Sequence, residues 1–377
     1  MTPKTLITGG AGFIGSNLAL ALLARGHDVT VLDSLSPQIH GSDPQTSPLL
    51  RSIQGRVRFI YGDVTDRDAL AAALQGQTAV VHYAAETGTG QSMYQIERYS
   101  RVNVGGTALL LDLLANQNHG VKRVLVASSR SIYGEGRYRA ADGTLVYPGH
   151  RSAVDMERGD FEVKWPGDGA LTLMSTDEES KIHPSSVYGI TKQVQEQLVM
   201  TVCPTLGIEG VALRYQNVYG PGQSLSNPYT GILSIFSSLI MAGRPINIFE
   251  DGRESRDFVF IDDVVRATVL ALEQPAAANE VFNIGAGRAV DVSTVAHTLI
   301  AALGRQVPVS VSGNFRLGDI RHNLACLEKA ARVLGFAPEV DFETGITRFC
   351  GWAAVQDQVE SDYEGSIAEM KLRGLLK

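Results

Sequence analysis

Thr8-Gly9-Gly10-Ala11-Gly12-Phe13-Ile14-Gly15 ends a short apolar run that begins at Lys4, and it opens a stretch in which Ile14, Leu18 and Leu22 recur on one helical stripe. Strand, glycine turn, helix is the order that brings a backbone close to a pyrophosphate. Glycine permits the tight turn, and the helix amino terminus offers free N–H groups to the anion. Gly9, Gly12 and Gly15 have the spacing Gly-x-x-Gly-x-x-Gly, with Phe13 and Ile14 between the last two. Such turns are common by themselves. Asp33 strengthens this one, because it follows a second apolar run at residues 29–32, where a carboxylate accepts the hydroxyls of an adenosine ribose. Its charge would repel a 2′-phosphate and no arginine follows it, so the expected cofactor is NAD rather than NADP.

Strand signals recur at residues 57–61, 78–83 and 121–127, with helical patterns between them. This alternation predicts an α/β fold: a doubly wound parallel (Rossmann) sheet. Ligands of such sheets bind at the carboxyl ends of the strands, so Asp33, Asp63, Ala84, Ala85 and Ser128 should line one crevice. Asp63 and Val64 would hold the adenine edge, with a helix cap at Asp63 as the competing reading. Residues 34–48, rich in Ser, Pro and Gln, read as a loop. Residues 135–184 break the rhythm and form an excursion too long for an ordinary loop. It is a lid, a substrate selector, a dimer contact or a tolerated surface insertion. After Gly220-Pro221-Gly222, short strands at 246–249, 257–260 and 281–284 and a stripe through Ile261, Val264, Val265, Thr268 and Leu272 suggest a smaller lobe closing over the crevice. The expected division is residues 1–212 for the nucleotide-binding domain, with the insertion at about 135–184. Residues 213–377 form mainly the substrate lobe, with some segments returning to the first domain.

The 377 residues are 44% hydrophobic and 19% charged, with a formal net charge of −7 and no Lys/Arg block. That argues against a nucleic-acid or anionic-membrane surface. Cys203, Cys326 and Cys350 are odd in number and widely spaced, which disfavours a disulfide framework or a metal site and fits reduced thiols in the cytoplasm. Met1 leads directly into a strand-like run, leaving no room for a signal peptide, and no apolar stretch is long enough to span a bilayer.

Tyr188 and Lys192 stand at i and i+4 of a helical stretch resuming near residue 185, and so share a face. An ammonium beside a phenol favours the phenolate and predicts a lowered tyrosine pKa, hence a base for a sugar or alcohol hydroxyl. Tyr-x-x-x-Lys also arises by chance on solvated helices. Ser129, at the end of the 121–127 run, can hydrogen-bond the reacting oxygen and share its proton with Tyr188.

The chain resembles the extended short-chain dehydrogenase/reductase family, in its nucleotide-sugar epimerase and dehydratase branch, from the amino terminus to about Trp352. The resemblance rests on the glycine run, Asp63-Val64, His82-Tyr83-Ala84-Ala85, Asn103-Val104-Gly105-Gly106-Thr107 and Ser128-Ser129-Arg130-Ser131-Ile132-Tyr133-Gly134. It continues with Tyr188-x-x-x-Lys192, Leu213 to Pro221, Arg256-Asp257-Phe258, Asn283-Ile284-Gly285 and Arg316-x-x-Asp319. It implies that Ser129, Tyr188 and Lys192 are catalytic, that Lys192 also holds the nicotinamide ribose, and that Asn103 joins the cofactor-binding set. It further implies that Asn217, Arg256 and Arg316 bind the substrate diphosphate, that Asp319 binds the nucleotide ribose, and that Ile246 to Phe249 hold the nucleobase. For either arginine alone, a surface ion pair is the competing reading.

In this branch the 4,6-dehydratases carry an acidic pair, or at least a Glu, after the catalytic Ser/Thr, and decarboxylases of nucleotide-linked glucuronate keep the Glu. Here Arg130 and Ser131 occupy those positions, in the substrate site. The implied activity is an NAD-dependent 4-epimerase acting on a dTDP- or UDP-linked hexose or 6-deoxyhexose through a 4-keto sugar. The stretch from Ser175 to Gln193, with the excursion before it, is similar to dTDP-L-rhamnose 4-epimerase-type members, and UDP-glucose and UDP-N-acetylglucosamine 4-epimerases are the near rivals. The alternatives are an NAD(P)-dependent 4-ketoreductase, a dehydratase or decarboxylase, and a non-catalytic NAD-binding regulator. The segments 103–118 and 186–203 resemble the family's dimer helices, so a homodimer is expected.

Overall fold

The computed structural model describes residues 2–167, 169–229, 231–356 and 363–377. Seven parallel strands form its central sheet: β1 (Lys4–Thr8), β2 (Asp28–Asp33), β3 (Arg58–Tyr61), β4 (Ala79–His82), β5 (Arg123–Ser129), β6 (Glu209–Tyr215) and β7 (Glu280–Ile284), in the spatial order β7-β6-β5-β4-β1-β2-β3. The order in which successive strands are added reverses between β1 and β4, which opens a crevice at their carboxyl ends. The interior strands are almost wholly apolar because helices cover both faces: β5 buries every residue from Arg123 to Ser129. Helix α1 (Phe13–Ala24) packs Leu18, Ala19 and Leu22 on one face. Helices α2 (Gly106–Asn116) and α3 (Val187–Thr205) bring Leu110, Leu114, Val199 and Cys203 to the other.

Residue 212 lies inside β6, so the lobe departs from the sheet only after Tyr215, and β7 returns to it. The lobe holds the strands Asn217–Tyr219, Ser255–Phe260 and Ala289–Asp291, and a parallel pair, Ile246–Ile248 with Val309–Val311. These surround a core of Tyr219, Phe258, Phe260, Phe342 and Phe349. Residues 34–48 are not an uninterrupted loop: Pro37–His40 and Pro44–Thr46 are short helical turns, each with a proline in its first turn, and Pro48 opens a further helix, Pro48–Ile53. Proline tolerates that position because its missing N–H would have no helical partner there.

The excursion carries three two-residue strands, Tyr138–Arg139, Leu145–Val146 and Thr172–Leu173, over a small core of Tyr138, Val146 and Val163. A buried charge network fastens it to the lobe. Fully buried Arg321 donates to Asp251 (2.7 and 2.8 Å), Glu250 (3.1 Å) and Glu162 (2.7 Å), and its main-chain N–H donates to Glu135 Oε2 (2.7 Å). Arg151 forks onto Glu250 at 2.7 Å through both terminal nitrogens and donates to the Asp319 carbonyl at 2.9 Å. Burying such charges is costly, and only this degree of mutual satisfaction offsets the cost. Arg321→Ala strips the cation from Glu250 and Asp251. A loss of about 3–5 kcal/mol is expected, read as a fall in the urea unfolding midpoint.

Candidate active site

The crevice at the switch point is a cleft of about 580 Å³ that runs from the glycine turn, past Ser129 and Tyr188, to Phe249 and Arg256 in the lobe. None of the described residues between 135 and 184 lines it. In this arrangement the excursion packs on the lobe through Glu162 and Arg151.

At the sheet end, Gly9 has φ +68°, and a Cβ on Gly15 would stand 2.4 Å from the Gly9 carbonyl and 2.6 Å from the Gly10 Cα. The turn closes on itself with no space for a side chain, and Gly9, Gly12, Phe13, Ile14 and Gly15 all line the cleft. Asp33 accepts the N–H of Ala11 through Oδ2 (2.9 Å) and that of Leu35 through Oδ1 (2.8 Å). This fixes the carboxylate at the mouth of the turn, and its remaining lone pairs stay available for ribose hydroxyls. Asp63, Val64, Ala84 and Ala85 are on the same wall. Asp63 is not the helix cap. It accepts the N–H and hydroxyl of Thr65, and Asp66 caps Arg67–Leu74 through the N–H groups of Asp68 and Ala69.

Asn103 departs from the expectation. It is fully buried outside the cleft lining, accepting the Glu86 N–H (2.7 Å) and donating to the Glu86 carbonyl (3.1 Å) and Thr191 Oγ1 (2.9 Å). Both amide hydrogens are donated within the protein. The side chain ties the loop after β4 to α3.

The catalytic candidates converge. Ser186 caps α3 by accepting the Gly189 N–H (3.1 Å), and the Tyr188 N–H donates to Ser92 Oγ (3.0 Å). Gly189 is the local requirement: a Cβ there would lie 2.6 Å from the Ser131 carbonyl, so only glycine lets α3 pack against the turn Arg130–Tyr133. That contact sets Tyr188 across from Ser129, whose Oγ bonds Ser131 Oγ at 3.1 Å and whose hydroxyl acts on the Tyr188 phenol.

The electrostatics differ from the expected Tyr–Lys pair. Burial raises the Tyr188 pKa, while the Ser129 hydroxyl and then Arg130 oppose the rise. Lys192 Nζ donates to the Ala127 carbonyl at 3.0 Å, and burial lowers its pKa to about 7. The i,i+4 spacing put both residues on one face, but desolvation outweighs their mutual attraction when the ammonium reaches a carbonyl instead.

In the lobe, Arg256 donates to the carbonyls of Ser255 (2.8 Å), Arg321 (3.0 Å) and Ile320 (2.8 Å), and no described carboxylate neutralises it. Its charge faces the cleft, and the ion-pair reading is wrong for it. For Arg316 that reading is right: its Nε and a terminal nitrogen bond Asp319 Oδ2 at 2.9 and 2.8 Å, though both residues line the cleft. Asn217 lines it too, with a buried Oδ1 that no described residue bonds. Ile246 does not. Its side chain lies in the lobe core, its N–H donates to Pro308 and its carbonyl accepts Ser310 Oγ (3.5 Å). Strand alternation turns Asn247 to the cleft instead, beside Phe249 and Glu254. The Ile-Asn-Ile pattern carried that signal. Glu254, Gln223 and Tyr363, also on the wall, had no comparable signature.

These features fit a dinucleotide: a turn with no space for Cβ atoms, and a buried Ser128 Oγ lacking a protein partner on the same wall. Gly15→Ala should therefore release NAD. The expected result is loss of cofactor absorbance from the gel-filtered protein with its circular dichroism unchanged.

The model of the NAD dependent epimerase/dehydratase family matches residues 5–152 and 164–285. The dTDP-L-rhamnose 4-epimerase of Burkholderia thailandensis is 40% identical over 93% of this chain and 95% of its own. A UDP-glucose 4-epimerase of Mycolicibacterium smegmatis is 30% identical over 92% of this chain and 96% of its own. Among solved structures, UDP-glucuronic acid 4-epimerase from Bacillus cereus, in complex with UDP-glucuronic acid and NAD, superposes with a TM-score of 0.74 at 27% identity, covering 93% of this chain and 98% of that one. The glycine turn, the Ser129–Tyr188–Lys192 wall and these likenesses agree: the chain belongs to the NAD dependent epimerase/dehydratase family.

Proposed function

We propose that this protein is an NAD-dependent nucleotide-sugar 4-epimerase acting on a dTDP- or UDP-linked hexose or 6-deoxyhexose. The observation that carries the reading is the cleft wall itself: Ser129 and Tyr188 face each other, and the positions following Ser129 are Arg130 and Ser131. Elimination across C5 and C6 needs an acid or base on that turn, and decarboxylation has the same need in this family. Inversion at C4 needs only one proton acceptor and a route for the proton.

NAD, held by the glycine turn and Asp33, would supply reversible hydride transfer at C4 of the sugar when bound. Tyr188, as phenolate, accepts the C4 hydroxyl proton, with Ser129 hydrogen-bonded to the same oxygen. The 4-keto sugar presents its other face, and Tyr188 gives the proton back. Asn217 and Arg256 hold the diphosphate while the sugar turns. Arg316 and Asp319 would exchange their mutual ion pair for phosphate and ribose. Asn247 and Phe249 border the space left for the base. Reduction of a 4-keto sugar is the second reading, and the fixed Asp33 carboxylate, which disfavours a 2′-phosphate, speaks against it. We further propose a cytoplasmic homodimer, formed through the outer faces of α2 and α3, where Ile190 is 49% exposed. No helix among the described residues is long and apolar enough to cross a membrane.

Incubated with UDP-, dTDP- and GDP-sugars, the protein should interconvert one C4 epimer pair without added reductant, read by NMR. Consumption of stoichiometric NADPH would establish the reductase instead. Tyr188→Phe should lower kcat by roughly 10²–10⁴-fold and leave substrate binding nearly intact.

A further inference from the structure

Residues 363–377 lie beyond the family motifs, yet two of them, Tyr363 and Met370, line the cleft. Tyr363, Ser366, Ile367 and Met370 fall on one face of the helix Tyr363–Leu372. Ser366 and Met370 are buried there, while Glu364, Ala368 and Leu372 are exposed on the other face. Gly374, at φ +68°, ends the helix and turns the chain, so that the Leu375 N–H donates back to the Met370 carbonyl at 2.9 Å. The reversed chain then pairs with the lobe. The Lys377 N–H donates to the Phe315 carbonyl (3.0 Å), the Phe315 N–H to the Lys377 carbonyl (2.9 Å), and the Leu317 N–H to the Leu375 carbonyl (2.9 Å). Arg316 stands between the two paired residues. Strand alternation sends Phe315 to a core with Met156 and Phe161, and sends Arg316 to the cleft.

Met370 fills the seam between the nucleotide-binding domain and the lobe. Its sulfur lies 3.2 Å from where a Cβ on Gly90 would stand, in the segment after β4. With Ser186, Arg316 and Asp319 it encloses a void of about 10 Å³, room for one water at most. Ser185 Oγ crosses the same seam to the Gly318 carbonyl at 2.8 Å. Three further contacts latch the segment down: the Arg373 guanidinium lies 4.6 Å over the Tyr94 ring, Glu364 pairs with Arg244, and Lys377 Nζ bonds Glu157 of the excursion at 2.7 Å. We infer that residues 363–377 are a strap that completes the substrate half of the cleft. Tyr363 and Met370 are contact residues for the nucleotide sugar, and the pairing of Leu375 and Lys377 with the lobe positions Arg316. This rests on the epimerase reading for the class of ligand and names the element that closes its site. The cofactor half is built from the glycine turn and Asp33, so NAD retention is the internal control.

The test uses the NAD-loaded full chain as wild type, Met370→Ala, Met370→Leu and Arg373→Ala. It measures KM and kcat for the sugar that turns over, the affinities of UDP-glucose and dTDP-glucose by calorimetry, and the NAD retained after gel filtration. Met370→Ala should raise KM and the sugar-nucleotide Kd about tenfold, with more of the loss in KM than in kcat. Met370→Leu, which conserves volume, should restore both to within about twofold. Arg373 is exposed and lines no part of the cleft, so its variant loosens the strap with the fold intact. Arg373→Ala should still weaken sugar-nucleotide binding about threefold, the worth of an exposed cation–π contact. NAD content should match the wild type throughout. Unchanged affinities in both alanine variants would overturn the inference. So would a parallel loss of NAD, which would make the segment a general brace rather than a part of the substrate site. A wild type that binds sugar nucleotides but inverts none would defeat the epimerase reading alone, because the affinities are read without turnover. A wild type that binds neither sugar nucleotide would overturn both.

Discussion

The hydrogen bond from Lys192 Nζ to the Ala127 carbonyl is the contact on which the site depends. It crosses from α3 to the end of β5, two residues before Ser129, and so fixes how the helix seats on the sheet. Gly189 brings the same helix against the Ser131 carbonyl, and Thr191, one residue before Lys192, receives the Asn103 amide. With three neighbouring positions pinned to three different segments, Tyr188 has one place to go. Its phenol points into the cleft because the helix cannot rotate without breaking a buried polar contact. Burial lowers the Lys192 pKa to about 7, and the bond to the carbonyl offsets only part of that cost.

That bond also changes how charge is distributed. A phenol taken out of water resists ionisation, and each pKa unit of that resistance is about 1.4 kcal/mol. The cleft carries other cations on its walls: Arg130, and Arg256 on carbonyls rather than on a carboxylate. Carbonyls orient a guanidinium without cancelling its charge. The substrate diphosphate would bring the missing anion, and the two ends of the cleft are then coupled through one electrostatic field.

Much of this was legible in the sequence, for stateable reasons. The glycine turn, the switch-point crevice and the convergence of Ser129 on Tyr188 follow from local spacing and from strand order, which the alternation of apolar runs encodes. What the sequence hid were choices between partners. Tyr188 and Lys192 share a face, yet only the packed structure reveals that the ammonium prefers Ala127. Asn103 belongs to a recognisable motif, but the motif did not disclose that its amide bonds Glu86 and Thr191 and so ties the loop after β4 to α3. Ile246 and Asn247 differ by one residue, and in a strand one residue is the difference between core and cleft.

The excursion poses the converse case: no motif, no periodicity, and a role visible only in three dimensions. Its small apolar core would be a weak fold alone. The network through Arg151 and Arg321 gives it a rigid seat, and that seat reaches Asp319 through the carbonyl bonded by Arg151, and Arg256 through the carbonyls of Ile320 and Arg321. The same carboxylates that hold the excursion thus hold the loop that carries the substrate-facing charges. Glu250 is shared by Arg151 and Arg321, so neither arginine can move without exposing a charge to the other's vacancy. An enzyme that must let a sugar turn over while its diphosphate stays fixed needs rigidity in the lobe and freedom at the hexose. A network placed behind the cleft wall, with none of its excursion residues in the cleft, supplies the first without restricting the second.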